Sequence, residues 1–135
     1  MSHRDEVDLL RSRSLKMLHY AREAVERGDY DLAVFFAEQA AQLYSKSVIL
    51  ELTGEVPRTN SIRQLLYMIG DLVSDRQRMR IIEFVRQYRS LLAGLEDAYI
   101  ASRYLYRRYG RDEALDLVRI AEMVIKVVKD LKVTG

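Results

Sequence analysis

GDYDLAVFFAEQAAQLYSKSVIL, residues Gly28 to Leu50, is the stretch whose reading decides the fold. Gly28 accepts the left-handed conformation that ends a helix, and Asp29 is suited to cap the free N–H groups of the next one. Ala33, Ala37, Ala40, Ala41, Tyr44 and Val48 then recur at helical spacing along one face. Small residues on that face let neighbouring helices approach closely, while Phe35, Phe36 and Tyr44 supply bulk around them.

The pattern extends in both directions. Upstream, Val7, Leu10, Met17, Ala21, Ala24 and Val25 form a stripe that predicts a helix from Asp5 to about Arg27, behind a frayed tail of four residues that includes His3. The central helix runs from about Tyr30 to Leu52. Thr53, Gly54 and Pro57 mark a loop, because the residue before proline avoids helical angles. A third helix starts near Asn60 or Ser61, with Ser61 and Gln64 spaced as a capping box. Asp75 is the expected cap of a long fourth helix. Its stripe of Ile81, Val85, Tyr88, Leu92, Leu95 and Tyr99 reaches towards Tyr109, with a bend expected near Gly94. Gly110 separates it from a fifth helix, about Arg111 to Leu131. There Ile120, Met123 and Val127 widen the apolar surface beyond one contact and predict burial on two sides, including a self-association face. The expected fold is all-α: an up-and-down antiparallel bundle of about five helices with a four-helix core, in one domain over residues 1–135 (core about 5–132).

Composition narrows the function classes. The chain has 135 residues, enough for a real core, and no Cys, which excludes disulfide and thiolate chemistry. Lys and Arg number 22 against 20 Asp and Glu, so nucleic-acid binding needs a local patch rather than a global field. No apolar run has the length of a membrane span and no signal-like segment opens the chain, so the expectation is a cytoplasmic protein. The preference for Arg, the abundant Tyr and the absent Cys are compatible with a thermophilic source. No His, Asp or Glu cluster has metal-ligand spacing, and no phosphate-loop, dinucleotide or hydrolase signature occurs. Neither a metal nor a cofactor is expected.

GDYDLAVFFAEQAAQLY also looks like part of a tetratricopeptide repeat. Such a solenoid requires the signal again after about 34 residues, and IRQLLYMIGDLV does not repeat it.

Three segments in order, DYDLAVFFAEQAAQLYSKSVI, GEVPRTNSIRQLL and DAYIASRYLYRRYGRDEALDLVRIAEMVIKVV, resemble the HEPN family (higher eukaryotes and prokaryotes nucleotide-binding domain). The resemblance is to its small stand-alone prokaryotic members and covers about residues 10 to 130. Ala33, Phe35 or Phe36, Gln39, Ala40, Ala41 and Lys46 fit the first segment of the family pattern. The resemblance implies a nucleotide- or nucleic-acid-binding domain that acts with a separately encoded minimal nucleotidyltransferase, in some members as a toxin–antitoxin pair. Many members carry R-x4–6-H and act as metal-independent ribonucleases, in which His moves protons and Arg stabilises phosphate charge. Here Arg103 is followed by Tyr104, Leu105, Tyr106, Arg107, Arg108 and Tyr109, with no His in reach. Tyr109 stands in the window, but a phenol with an ordinary pKa near 10 is a poor base at neutral pH. Asn60 takes a place where related sequences often have His, and Gln42 one often filled by Glu. An R-x5-H from Arg13 to His19 lies in the first helix with its ends on different faces. No catalytic residue is therefore assigned.

The candidate nucleotide- or RNA-binding residues are Tyr99, Arg103, Tyr104, Arg107 and Tyr109, with Gln39, Lys46 and Asn60. Aromatic rings beside guanidinium groups can stack a base and hold its phosphate. Arg103 can equally be half of an ion pair at a homodimer interface, with Glu96, Asp97, Glu113 or Asp116 as its partner. Gln39, Gln42 and Lys46 form a polar line that either borders a cleft or is a solvent edge. A degenerate ribonuclease toxin and a purely structural dimeric adaptor are the alternative functions.

Overall fold

Two glycines set the first boundaries, because both hold positive φ, where a Cβ is strained: Gly28 at 79° and Gly54 at 83°. Between them lies α2 (Tyr30–Thr53), preceded by α1 (His3–Glu26). The computed structural model describes residues 3–104 and 107–131, leaving the side chains of residues 102–104 outside the description. The helices α3 (Ile62–Gly70), α4 (Asp75–Gln87), α5 (Arg89–Tyr104) and α6 (Arg111–Lys129) complete an all-α bundle with no strand among the described residues.

The alanine face of α2 is packed as its sequence implies. Ala33, Ala37, Ala40 and Ala41 are fully buried, and the Ser14 hydroxyl of α1 donates to the Ala40 carbonyl at 2.7 Å. Only small side chains permit an approach that brings one helix's hydroxyl to another's backbone. The seam is closed at its far end by Arg11, which donates to both Ser47 (3.2 Å) and Glu51 (3.1 Å). α2 also contacts α3, α5 and α6, so it is the central helix of the bundle.

Four local expectations are corrected. The long fourth helix is two helices, and the break is at Tyr88, not Gly94. Tyr88 leaves helical geometry (φ −112°, ψ 24°) while its N–H still bonds the Phe84 carbonyl. No glycine or proline causes this break. Tyr88 packs half-buried against the core, its ring tilted on Phe84 at 5.2 Å, as the chain turns from its α3 contact to α2 and α6. Gly94 is mid-helix in α5, facing Leu117 of α6, where an added Cβ would meet only an ordinary contact. α4 is capped by Ser74, which accepts from the Gln77 N–H, and Asp75 occupies the first turn. Asp29 sits at the cap position of α2 but makes no side-chain cap bond.

The fourth concerns α6. Ile120 is 1% exposed, and Met123 and Val127 pack against the core from partly buried positions. Its broad apolar surface is covered within the chain, since α6 touches α1, α2 and α5. The reason given for a self-association face there falls away. No described helix is long and apolar enough to cross a membrane.

Candidate functional site

Glu38 breaks the small-residue run of α2 with a carboxylate, and it is completely buried. Two neighbours on the same helix satisfy it: the Gln39 amide donates to Oε1 at 2.7 Å and the Gln42 amide to Oε2 at 2.7 Å. Burial pushes the Glu38 carboxyl up to about 7, against the pull of the two amides and of Lys46, while Glu96 of α5 adds a small push the same way. Lys46, two turns along α2, is half-buried, and its Nζ donates to Asn60 Oδ1 at 2.9 Å. Burial lowers the Lys46 ammonium from its ordinary value, with Glu38 opposing.

Next to Asn60 the start of α3 is bound to α5 by one carboxylate. Glu96 accepts the Ser61 hydroxyl, the Arg63 N–H at 3.2 Å and the Arg63 Nε at 2.6 Å. Its side chain is 12% exposed. This is an internal anion at a helix N-terminus, where free N–H groups and the helix dipole favour negative charge. The capping box is half-formed: Ser61 Oγ accepts the Gln64 N–H, but the Gln64 side chain takes the Thr59 hydroxyl, which in turn accepts the Ser61 N–H.

At the far end of α5 the chain turns into α6. The Tyr109 N–H donates to Asp31 Oδ1 at 2.8 Å, tying the turn to the start of α2. Arg107 lies over the Tyr109 ring at 4.2 Å and pairs with Glu113 at 2.5 Å. Tyr109 is 7% exposed, and its hydroxyl is buried with no well-formed hydrogen bond. Burial raises the phenol, with Arg107 pulling partly back. A group so placed is a worse base than an ordinary tyrosine. Arg108 and Arg111 are exposed, and Arg108 borders a cleft with Asp29 and Asp31.

Of the sequence candidates, Lys46 and Asn60 are brought into contact, while Gln39 bonds Glu38, which acts on Lys46 through its charge rather than through a hydrogen bond. Gln39 and Gln42 are therefore no solvent edge; their amides serve a buried acid. Arg107 and Tyr109 stack, and Tyr99 is half-buried. The Arg103 and Tyr104 side chains, with Leu105 and Tyr106, lie outside the described residues. Two carboxylates considered as partners of Arg103 are engaged elsewhere, Glu96 with Arg63 and Glu113 with Arg107. Sequence reasoning passed over Glu38 and Arg63. The signal for Glu38 was present: an acid inside an alanine-rich face, with Gln at the first and fourth following positions. Arg63 carried no local signal, because its role depends on a residue 33 positions away. Among the described residues no three His, Asp or Glu side chains gather as a metal site.

No curated protein and no solved structure matches the chain. The family model described as HEPN domain matches residues 7–131, nearly its whole length. That span takes in the alanine-faced α2, the Glu96-bound start of α3 and the Arg–Tyr turn into α6, and it places this chain in the HEPN domain family.

Proposed function

We propose that this chain is a nucleotide- or RNA-binding HEPN domain without ribonuclease chemistry, working beside a separately encoded minimal nucleotidyltransferase. Membership of the family supports a nucleotide- or RNA-related role. The observation that carries the non-catalytic part is the state of Tyr109. It stands where ribonuclease relatives place a histidine, yet its ring is capped by Arg107 and its hydroxyl is buried. Such a group cannot exchange protons with a bound ribose at neutral pH. What remains is recognition: Arg103, Tyr104 and Arg107 supply phosphate-binding forks and stacking surfaces, and Lys46 with Asn60 supplies a second polar contact.

One mutant tests this. Arg103→Ala should weaken binding of a nucleotide or short RNA by about 1.5–3 kcal/mol, with affinity falling as salt rises. RNA cleavage by the wild type that this mutant abolishes would establish the degenerate ribonuclease instead.

A second reading, the dimeric adaptor, is favoured by the exposed Leu91 and Ile100, which border a groove between α5 and α6. Arg103→Ala would then break the dimer, seen by sedimentation at low micromolar concentration, while the wild type binds no nucleotide.

A further inference from the structure

Two surfaces on either side of the Tyr88 break in sequence carry opposite charge. The first is a groove of about 740 Å³ between α5 and α6, whose lining includes Leu91, Asp97, Ile100, Glu113, Asp116 and Leu117. Arg107 answers Glu113 there, but Asp97 and Asp116 are exposed and enter no ion pair among the described residues. The apolar part of the groove is open too, since Leu91 is 37% and Ile100 51% exposed.

The second surface is the outer face of α4. Ile81, Phe84 and Val85 hold that helix to the core. Away from them, Arg76, Met79, Arg80 and Glu83 stand at i, i+3, i+4 and i+7 and form one exposed ridge. Arg86 answers Glu83 at 3.7 Å, whereas Arg76 and Arg80 enter no ion pair among the described residues. Met79, set between those two arginines, is 54% exposed. Neither surface covers the other within one chain, because Met79 and Ile100 both stay open to solvent.

Two unmatched acids beside open aliphatic side chains suit a partner that is basic and apolar within one short stretch. The α4 ridge has that composition, and a helix ridge is the shape that a groove between two helices accepts. We infer that the α4 ridge of one copy of this chain seats in the α5–α6 groove of a second copy. Met79, a flexible side chain that fits irregular gaps, meets Leu91, Ile100 and Leu117. Arg76 and Arg80 meet Asp97 and Asp116 in charge-assisted hydrogen bonds. The contact joins two different surfaces, so it is head-to-tail: each added copy leaves one ridge and one groove free for the next. One helix in one groove buries less than the roughly 800 Å² per partner of a standard interface, so the association is weak and screened by salt. It needs α4, which a two-fold adaptor dimer at the groove does not, and it stands apart from the nucleotide-binding reading.

The test is sedimentation velocity from low to high micromolar concentration, in low and in high salt, on the wild type and two double variants. The ridge variant carries Arg76→Glu with Arg80→Glu, and the groove variant Asp97→Lys with Asp116→Lys. All four positions are exposed, so circular dichroism should show both variants folded. The wild type should grow past the dimer as concentration rises and shrink in high salt. Each variant alone should associate at least about tenfold more weakly, because like charges then face each other. An equimolar mixture of the two should form a one-to-one complex and stop there, since only one intact ridge and one intact groove remain. Met79→Ser should weaken the wild-type association while leaving its salt dependence in place. A wild type that stays monomeric overturns the inference and leaves the groove to a basic segment of a different protein. A ridge variant that associates as the wild type does also overturns it and leaves the two-fold adaptor contact. A mixture no larger than its components overturns it as well.

Discussion

The two ends of α5 treat their polar residues in opposite ways. In its first half Glu96 is enclosed: one carboxylate takes three donors from Ser61 and Arg63, and the nearby Glu38 takes two amides. Beyond its last turn the arginines are exposed, Arg107 resting on Tyr109 and Arg108 facing solvent. Buried polar groups must be satisfied, and once satisfied they hold helices in register. Exposed guanidinium groups contribute little to folding and stay available to a ligand. Both places carry charged residues, and what separates them is whether other helices close over the charge.

The contrast is broken most directly at Glu96. Glu96→Ala should cost about 3–4 kcal/mol, because it leaves Arg63 and the start of α3 without their acceptor. A chemical melt shifted by less than about 1 kcal/mol would mean that the enclosed cluster is not structural.

Glu38 sharpens the same side through pH. Its folded pKa of about 7 lies above the ordinary 4.5, so the folded state binds the proton more tightly. The stabilisation is fully present below pH 4.5 and is lost as pH rises through 7, a change of about 3 kcal/mol. Glu38→Gln should therefore flatten the stability profile between pH 5 and 8 and be the more stable form at pH 8. A parallel offset from the wild type at every pH would contradict this assignment.

At the other end, smaller effects are expected. Tyr109→Phe removes a buried hydroxyl that has no well-formed partner, so it should be neutral or stabilising by up to about 1 kcal/mol. A loss of more than 1 kcal/mol in thermal melts would show that the hydroxyl is used. Arg108→Ala should change stability by no more than about 0.5 kcal/mol, as expected of an exposed side chain that forms no ion pair among the described residues. If it lowers the melting temperature by several degrees, the open end of α5 is structural after all.

Much of the bundle is legible in the residues, and for local reasons. Helix spacing, the left-handed Gly28 and Gly54, and the close alanine contact of α2 with α1 all follow from conformational preferences that each residue carries with it. The candidate site is legible in part: the Lys46–Asn60 contact brings together two residues already singled out, while Glu38 and Arg63 were not. The half-buried amide of Gln39 and the buried one of Gln42 follow a helical period that a solvent-facing stripe would share, so spacing alone could not separate them.

The sequence by itself determined the helical class, the ends of most helices, the absence of thiol chemistry and the lack of a histidine after Arg103, because these depend on residue identity and short-range order. Tertiary structure alone decided that the chain breaks at Tyr88, that α6 spends its broad apolar face within the chain, and that Glu96 serves Arg63. Those outcomes depend on which helix covers which face, a property of contacts between residues far apart in sequence, and neither period nor propensity encodes it.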